Sequence, residues 1–279
     1  WVPVVDHIHE DLFRVYFGSR NSENMTQTGY FEFDLNNPTE ILNVTEEPAL
    51  KLGPLGSFDD SLALGCSIVS HEGLKYLYYV GWMQGKRTRY YPALGLAISS
   101  DNGKTFKKNS RAPMIDRSND DPFGMASPFV MYDEGIWRMW YASYRRWELR
   151  GAEPWPHYEI RYAESKDGIH WDCHNKMCIG SEDEEAVARP YVLKEDGIFK
   201  MWYCYRIKYG NYQIGYAESS NAEDWVLMPE KVGIGLSDSG PDSEMMAYPC
   251  VFKHKGSKYM LYNGNGFGVD GICFATLDE

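Results

Sequence analysis

Short apolar runs separated by turn residues recur along this chain of 279 residues, and the apolar spacing nowhere takes a helical period. Five runs open the repeat: Pro3-Val4-Val5, Ser67-Ile68-Val69, Pro128-Phe129-Val130, Pro190-Tyr191-Val192 and Pro249-Cys250-Val251. They recur about every sixty residues. Turns such as His71-Glu72-Gly73, Asp133-Glu134-Gly135, Glu195-Asp196-Gly197 and His254-Lys255-Gly256 follow. Each turn leads to an aromatic strand, for example Trp137-Arg138-Met139-Trp140-Tyr141 or Phe199-Lys200-Met201-Trp202-Tyr203. A third strand closes on a small-residue motif: Gly95-Leu96-Ala97-Ile98-Ser99, Arg161-Tyr162-Ala163-Glu164-Ser165, Gly215-Tyr216-Ala217-Glu218-Ser219 and Ile272-Cys273-Phe274-Ala275-Thr276. An aromatic then starts a fourth strand at Phe106, Trp171 and Trp225.

Four short antiparallel strands per repeat, joined by Gly and Asn turns, make one sheet of a radial array. The pattern predicts an all-β fold, a five-bladed β-propeller in a single domain. Its blades span residues 1–54, 55–116, 117–180, 181–236 and 237–279. The last repeat runs out after its third strand, so an N-terminal closing strand lies outside this sequence or is absent.

Composition narrows the function classes. The net charge is −12 and the pI about 5.1, which leaves no basic footprint for nucleic acid. No apolar run reaches the ~18 residues of a membrane span. Among the 279 residues, 21 are Tyr and 9 Trp, enough both to pack sheets and to line a sugar site. Six cysteines, at 66, 173, 178, 204, 250 and 273, form no CxxC and no zinc spacing. Cys66, Cys204 and Cys250 fall inside apolar strands, which predicts buried free thiols and a cytoplasmic location. No cofactor or metal site is expected.

The turn Ser165-Lys166-Asp167-Gly168-Ile169-His170-Trp171 and the runs Ala126-Ser127-Pro128-Phe129-Val130, Ala188-Arg189-Pro190-Tyr191-Val192 and Ala247-Tyr248-Pro249-Cys250-Val251 carry a resemblance. With five such repeats, the chain resembles the five-bladed glycoside hydrolase superfamily, which includes arabinanases, β-xylosidases, invertases, levansucrases and mannoside phosphorylases. It is most similar to bacterial members found with surface-polysaccharide genes. Ser99 to Phe106 also fits the Asp box of sialidases, a structural turn. The resemblance implies a carbohydrate substrate and a site where the central strands begin. Family members place acidic residues one or two positions before the inner-strand proline and use them in pairs across the scissile bond. Here those positions hold Trp1 and Val2, Gly65 and Cys66, Ala126 and Ser127, Ala188 and Arg189, and Ala247 and Tyr248. No family carboxylate transfers to this chain.

Comparing the repeats separates structure from site. Seven residues before the proline-equivalent position stand Asp60, Asp121, Asp183 and Asp242, which either cap turns or act as acids. Five residues before it, the copies diverge to Leu62, Phe123, Glu185 and Glu244. Glu185 and Glu244 are candidate acid and base on neighbouring repeats, with Asp60 and Asp121 as further candidates. Arg189 either pairs with Glu185 or Glu244 or holds an acidic ligand group. Three residues beyond the aligned Phe17, Tyr79, Tyr141, Tyr203 and Tyr262 come Arg20, Trp82, Tyr144, Arg206 and Asn265, candidate sugar contacts with Arg145. The loops 84–91 and 145–158, rich in Arg and Trp, are expected to roof the pocket. The ligand is thus a small molecule or oligosaccharide, an anionic one by the arginine count. The expected activity is glycoside hydrolase-like. The alternatives are a carbohydrate-binding propeller without hydrolysis, or a cyclase, lyase or transferase on the same scaffold.

Overall fold

The computed structural model describes residues 1–180, 184–207 and 210–277, with Glu184 and Glu185 described by backbone alone. The fold is almost entirely β. Strands β1 (Val4–His9), β2 (Leu12–Arg20), β3 (Thr26–Asp34) and β4 (Ile41–Val44) pair in succession, all antiparallel. The same order recurs in β5 (Leu62–His71), β6 (Leu74–Gln84), β7 (Tyr90–Ser99) and β8 (Lys107–Lys108). It recurs again in β9 (Met125–Asp133), β10 (Ile136–Arg150), β11 (Glu153–Ser165) and β12 (Trp171–Ile179). Next come β13 (Glu184–Glu195), β14 (Ile198–Ile207), β15 (Gln213–Ser219) and β16 (Val226–Leu227). The last sheet holds β17 (Ala247–His254), β18 (Ser257–Asn263) and β19 (Ile272–Leu277).

Single parallel bridges, Thr26 to Leu62 and Tyr158 to Ala186, join the first group to the second and the third to the fourth. The first strands of the groups pack on one another in a closed circuit: β1 on β5, β5 on β9, β9 on β13, β13 on β17, and β17 back on β1. Their starting ends, together with the last residues of the second strands, form one end of the ring, called the mouth below.

Packing between groups uses one device repeatedly. The Tyr16 and Tyr78 hydroxyls and the Trp140 indole donate to carbonyls of the next group's turn, at Gly103, Gly168 and Ala222. Phe106, Trp171 and Trp225 then pack edge-on against these rings at 5.5 to 6.0 Å. The fourth-strand aromatics therefore bind adjacent sheets together, and their burial against the core supplies apolar stabilisation.

A second repeated device concerns the aspartates. Tyr79, Tyr141 and Tyr262 each donate a hydroxyl to a buried aspartate twenty residues upstream: Asp59 at 2.9 Å, Asp121 at 3.0 Å and Asp242 at 2.5 Å. Tyr79 and Tyr203 reach inward because Gly95 and Gly215 lie across the strand, where the tyrosine rings leave no room for a Cβ. Burial, reinforced by the neighbouring carboxylate, raises the pKa of Tyr79, Tyr141 and Tyr262 well above the ordinary phenol value. The hydroxyls thus stay donors.

This corrects two expectations. Ser67 faces Tyr78 as Phe129 faces Trp140, so Cys66, not Ser67, matches the prolines. The shift by one residue makes Asp59 the equivalent of Asp121 and Asp242. Asp60 instead accepts from the Gly56 amide and the Ser61 hydroxyl within its own loop. Asp121 is not a free acid either: it also takes the Ser143 hydroxyl and lies 3.4 Å from Arg161. Asp183 lies outside the described residues.

Glu195 at the end of β13 ties the last two sheets, with Lys200, Lys253 and Lys258 at 2.6, 3.0 and 3.2 Å. Burial alone would raise its pKa, but the three ammonium groups win and bring it down to about 2. All six cysteines are free, and Cys66, Cys204 and Cys250 are buried as expected. No helix among the described residues is long and apolar enough to cross a membrane.

Two predictions follow from these ties. Replacing Tyr79, Tyr141 or Tyr262 with Phe costs about 1–3 kcal/mol of stability in urea unfolding. The loss is largest at Tyr262, because Asp242 has no second hydrogen-bond partner among the described residues. Unchanged unfolding midpoints in all three variants would contradict the structural role. A lowered pKa means that Glu195 stabilises the fold fully above its ordinary value and loses that contribution as pH falls towards about 2. Wild-type stability should therefore drop more steeply between about pH 5 and pH 2 than that of Glu195→Gln. Parallel curves would refute the assignment.

Candidate functional site

The central strands reach the mouth through a shared distortion. Val2, Ser127, Arg189 and Tyr248, each directly before a proline, have φ of 57°, 50°, 54° and 59°. The ladder slips beside them, between Trp140 and Ala142, Ala188 and Tyr191, and Ala247 and Cys250. Left-handed backbone at non-glycine residues costs on the order of 1–3 kcal/mol each and concentrates at sites that need a particular side-chain direction.

Arg189 uses that direction structurally. It is fully buried and donates from Nη1 to the Cys66 carbonyl at 2.5 Å and from Nη2 to the Pro3 carbonyl at 2.9 Å. Its Nε has no hydrogen-bond partner. The expectation that Arg189 contacts ligand or pairs with an acid is thus overturned: carbonyls of β5 and of the residue before β1 satisfy it instead. Asn263, also fully buried, accepts the Val2 amide at 2.8 Å.

Above this floor lies a belt of tyrosines. Trp82 stacks on Tyr90 with centroids 4.3 Å apart, and the Tyr90 and Tyr144 hydroxyls are 3.3 Å apart. Tyr144 packs on Tyr158 at 5.0 Å, and the Tyr158 and Tyr212 hydroxyls share a hydrogen bond. Tyr248 stacks on Phe267, which in turn meets Tyr212 edge-on. Burial pushes the Tyr90 pKa up to about 12 and raises those of Tyr144, Tyr158, Tyr212 and Tyr248. Arg206 opposes this rise at Tyr158 and Tyr212 without reversing it. The belt therefore presents neutral hydroxyls at physiological pH.

A cavity of about 440 Å³ opens beside the belt, lined by Arg89, Arg150, Glu153, Trp155, Arg206, Asn211, Tyr212, Met245 and Phe267. Three guanidiniums surround the Trp155 ring: Arg206 at 4.7 Å, Arg150 at 4.9 Å and Arg89 at 5.2 Å. Arg206 also lies 4.9 Å from the Tyr212 ring. The Trp155 indole nitrogen is buried without a hydrogen-bond partner. Arg89 pairs with Glu153 at 3.1 Å. The long hairpin of β10 and β11 brings Arg150, Glu153 and Trp155 here, and the end of β6–β7 brings Arg89.

Among the expected contacts, Arg206 lines this cavity, and Trp82 and Tyr144 belong to the adjoining belt. Arg20 stands 5.8 Å over Trp1, outside the cavity lining. Arg145 faces Glu159 at 3.5 Å and lines a separate cavity with Asp120 and Arg161. Asn265 is a loop clamp, accepting the Glu244 and Met245 amides and donating to the Gly240 carbonyl. Glu244 is exposed, and its carbonyl accepts from Asn211, which lines the cavity rim. The Glu185 side chain lies outside the described residues. Tyr212, Met245 and Phe267 escaped sequence reading, since they come from three separate segments that meet only in space. Among the described residues, no group of three or more His, Cys, Asp or Glu side chains is placed to hold a metal.

No family model matches the chain. Its fold is similar to that of a glycoside hydrolase (TM-score 0.78, 16% identity, 99% of this chain and 86% of that one). It is also similar to a thermostable family-43 glycoside hydrolase (0.71, 16%, 100% and 89%) and to an endo-arabinase from Bacteroides thetaiotaomicron VPI-5482 (0.69, 14%, 100% and 94%). At those identities the likeness is one of fold. By sequence, the chain is 37% identical over 281 residues to the uncharacterized protein Rv1502 of Mycobacterium tuberculosis H37Rv, covering 100% of this chain and 92% of that protein. Uncharacterized protein MT1551 of strain CDC 1551 matches to the same extent. With that identity along its whole length, the chain belongs to the family of Rv1502, and its fold is that of the glycoside hydrolases named above.

Proposed function

We propose that this chain is a five-bladed β-propeller, each antiparallel group one blade, that recognises an acidic saccharide at its mouth. The observation that carries the reading is the convergence of Arg89, Arg150 and Arg206 on Trp155 beside the Tyr212 hydroxyl, in a cavity of about 440 Å³. Guanidinium and indole groups donate hydrogen bonds and cannot accept them. A wall rich in such donors selects a ligand rich in acceptors, and carboxylated or phosphorylated sugars are of that kind. Each guanidinium has five N–H groups, so an arginine already engaged with protein keeps donors for a ligand. Tyr212 and Phe267, which line the cavity with Trp155, supply the aromatic surface that a sugar ring packs against.

For catalysis, the reading assigns Glu185 and Glu244 as the acid and base pair. Asp60 and Asp121 are spent on the fold, as described above. A second reading, binding without hydrolysis, rests on a specific observation. Glu153 is the one carboxylate among the described cavity-lining residues, and it is paired with Arg89.

Calorimetry against glucuronate and galacturonate oligosaccharides, alongside neutral sugars, tests recognition. Arg206→Ala should weaken acidic-sugar binding by about tenfold or more, as expected for loss of a charge-assisted hydrogen bond. Binding equal to wild type would overturn the site. For turnover, Glu185→Gln and Glu244→Gln should each cost about 10²-fold or more while binding persists. A wild-type protein that binds without any turnover favours the second reading.

A further inference from the structure

Glu153 opens β11 at the tip of the long hairpin, and its carboxylate lies 3.1 Å from the Arg89 guanidinium of the neighbouring hairpin. Both side chains are well exposed, at 68% and 46%, so this pair is weak in water and exchanges readily. Glu153 and Trp155, two residues apart on β11, both line the cavity. Arg89 sits against the Trp155 ring, whose indole nitrogen has no hydrogen-bond partner. Among the described residues of that cavity, every other charged side chain is an arginine. Among those described residues, Glu153 is thus the one acidic group set against the arginines.

We infer that Glu153 occupies the seat of the ligand's own carboxylate on Arg89, and that the ligand is a uronic acid. This rests on the reading of the mouth as an acidic-saccharide site. The resident group is a planar monoanion, and a uronate carboxylate reproduces its charge and its two-oxygen face towards a guanidinium. A phosphate ester brings about −1.5 to −2 charges and three oxygens, a poorer copy of the group it would displace. Binding then exchanges one Arg89 partner for another, and Glu153 sets the threshold an incoming sugar must exceed. Neutral sugars have no anion with which to make the exchange.

The test titrates wild type, Glu153→Gln and Arg89→Ala with D-glucuronate, glucose 6-phosphate and glucose. The Trp155 indole N–H resonance, assigned by its absence in Trp155→Phe, reports occupancy. Removing the competing charge should tighten glucuronate binding about two- to fivefold in Glu153→Gln, the scale of an exposed ion pair. Glucose binding should not change. Arg89→Ala should lose the preference for glucuronate over glucose. Unchanged glucuronate affinity in Glu153→Gln, or an equal gain for glucose, overturns the inference. A gain confined to glucose 6-phosphate overturns the uronate assignment. Wild-type protein that binds none of the three sugars defeats the acidic-saccharide reading itself, a different outcome from binding that ignores Glu153.

Discussion

One buried guanidinium holds the centre of the ring. Arg189, on β13, donates to the carbonyls of Cys66 on β5 and of Pro3 just before β1, and so ties three groups at one point. A cation this deep is unfavourable without compensation. The compensation comes from carbonyls, since no carboxylate pairs with Arg189 among the described residues. Arg189 itself has left-handed backbone directly before Pro190, as have Val2, Ser127 and Tyr248 before Pro3, Pro128 and Pro249.

Outside that centre, the acids divide into two kinds. Asp59, Asp121 and Asp242 repeat with the sheets and are held by tyrosines, lysine or arginine, so they belong to the fold. Glu153 occurs once, at a hairpin tip, and faces a pocket of arginines and hydroxyls. The net charge of −12 makes a local cluster of three arginines around one indole more telling, because composition alone would not produce it.

Much of the fold was legible because each repeat carries the same order of apolar, turn and aromatic residues. Pairings such as Trp140 opposite Phe129 and Trp202 opposite Tyr191 follow that order directly. The second repeat misled by one position. Its central strand lacks the proline, and the bulge between Gly65 and Ser67 hides the register, so Asp60 stood in for Asp59. In the candidate cavity, Arg206 near the end of β14 and the Arg- and Trp-rich segments 84–91 and 145–158 were legible in advance. Asn265 failed because β18 stops at Asn263 and the chain turns into a tight loop. Tyr212 and Phe267 carry no local signal, and Arg189 is indistinguishable in sequence from a ligand-binding arginine.

The central claim is that an acidic sugar sits in the cavity framed by Trp155, Arg206 and Tyr212. Crystallographic structure determination with bound D-glucuronate tests it most directly. The account predicts the sugar in that cavity, with its carboxylate within hydrogen-bond distance of Arg89 and the Glu153 side chain moved away. Density for the sugar on another face, or an empty cavity at concentrations that saturate the protein in solution, would contradict it.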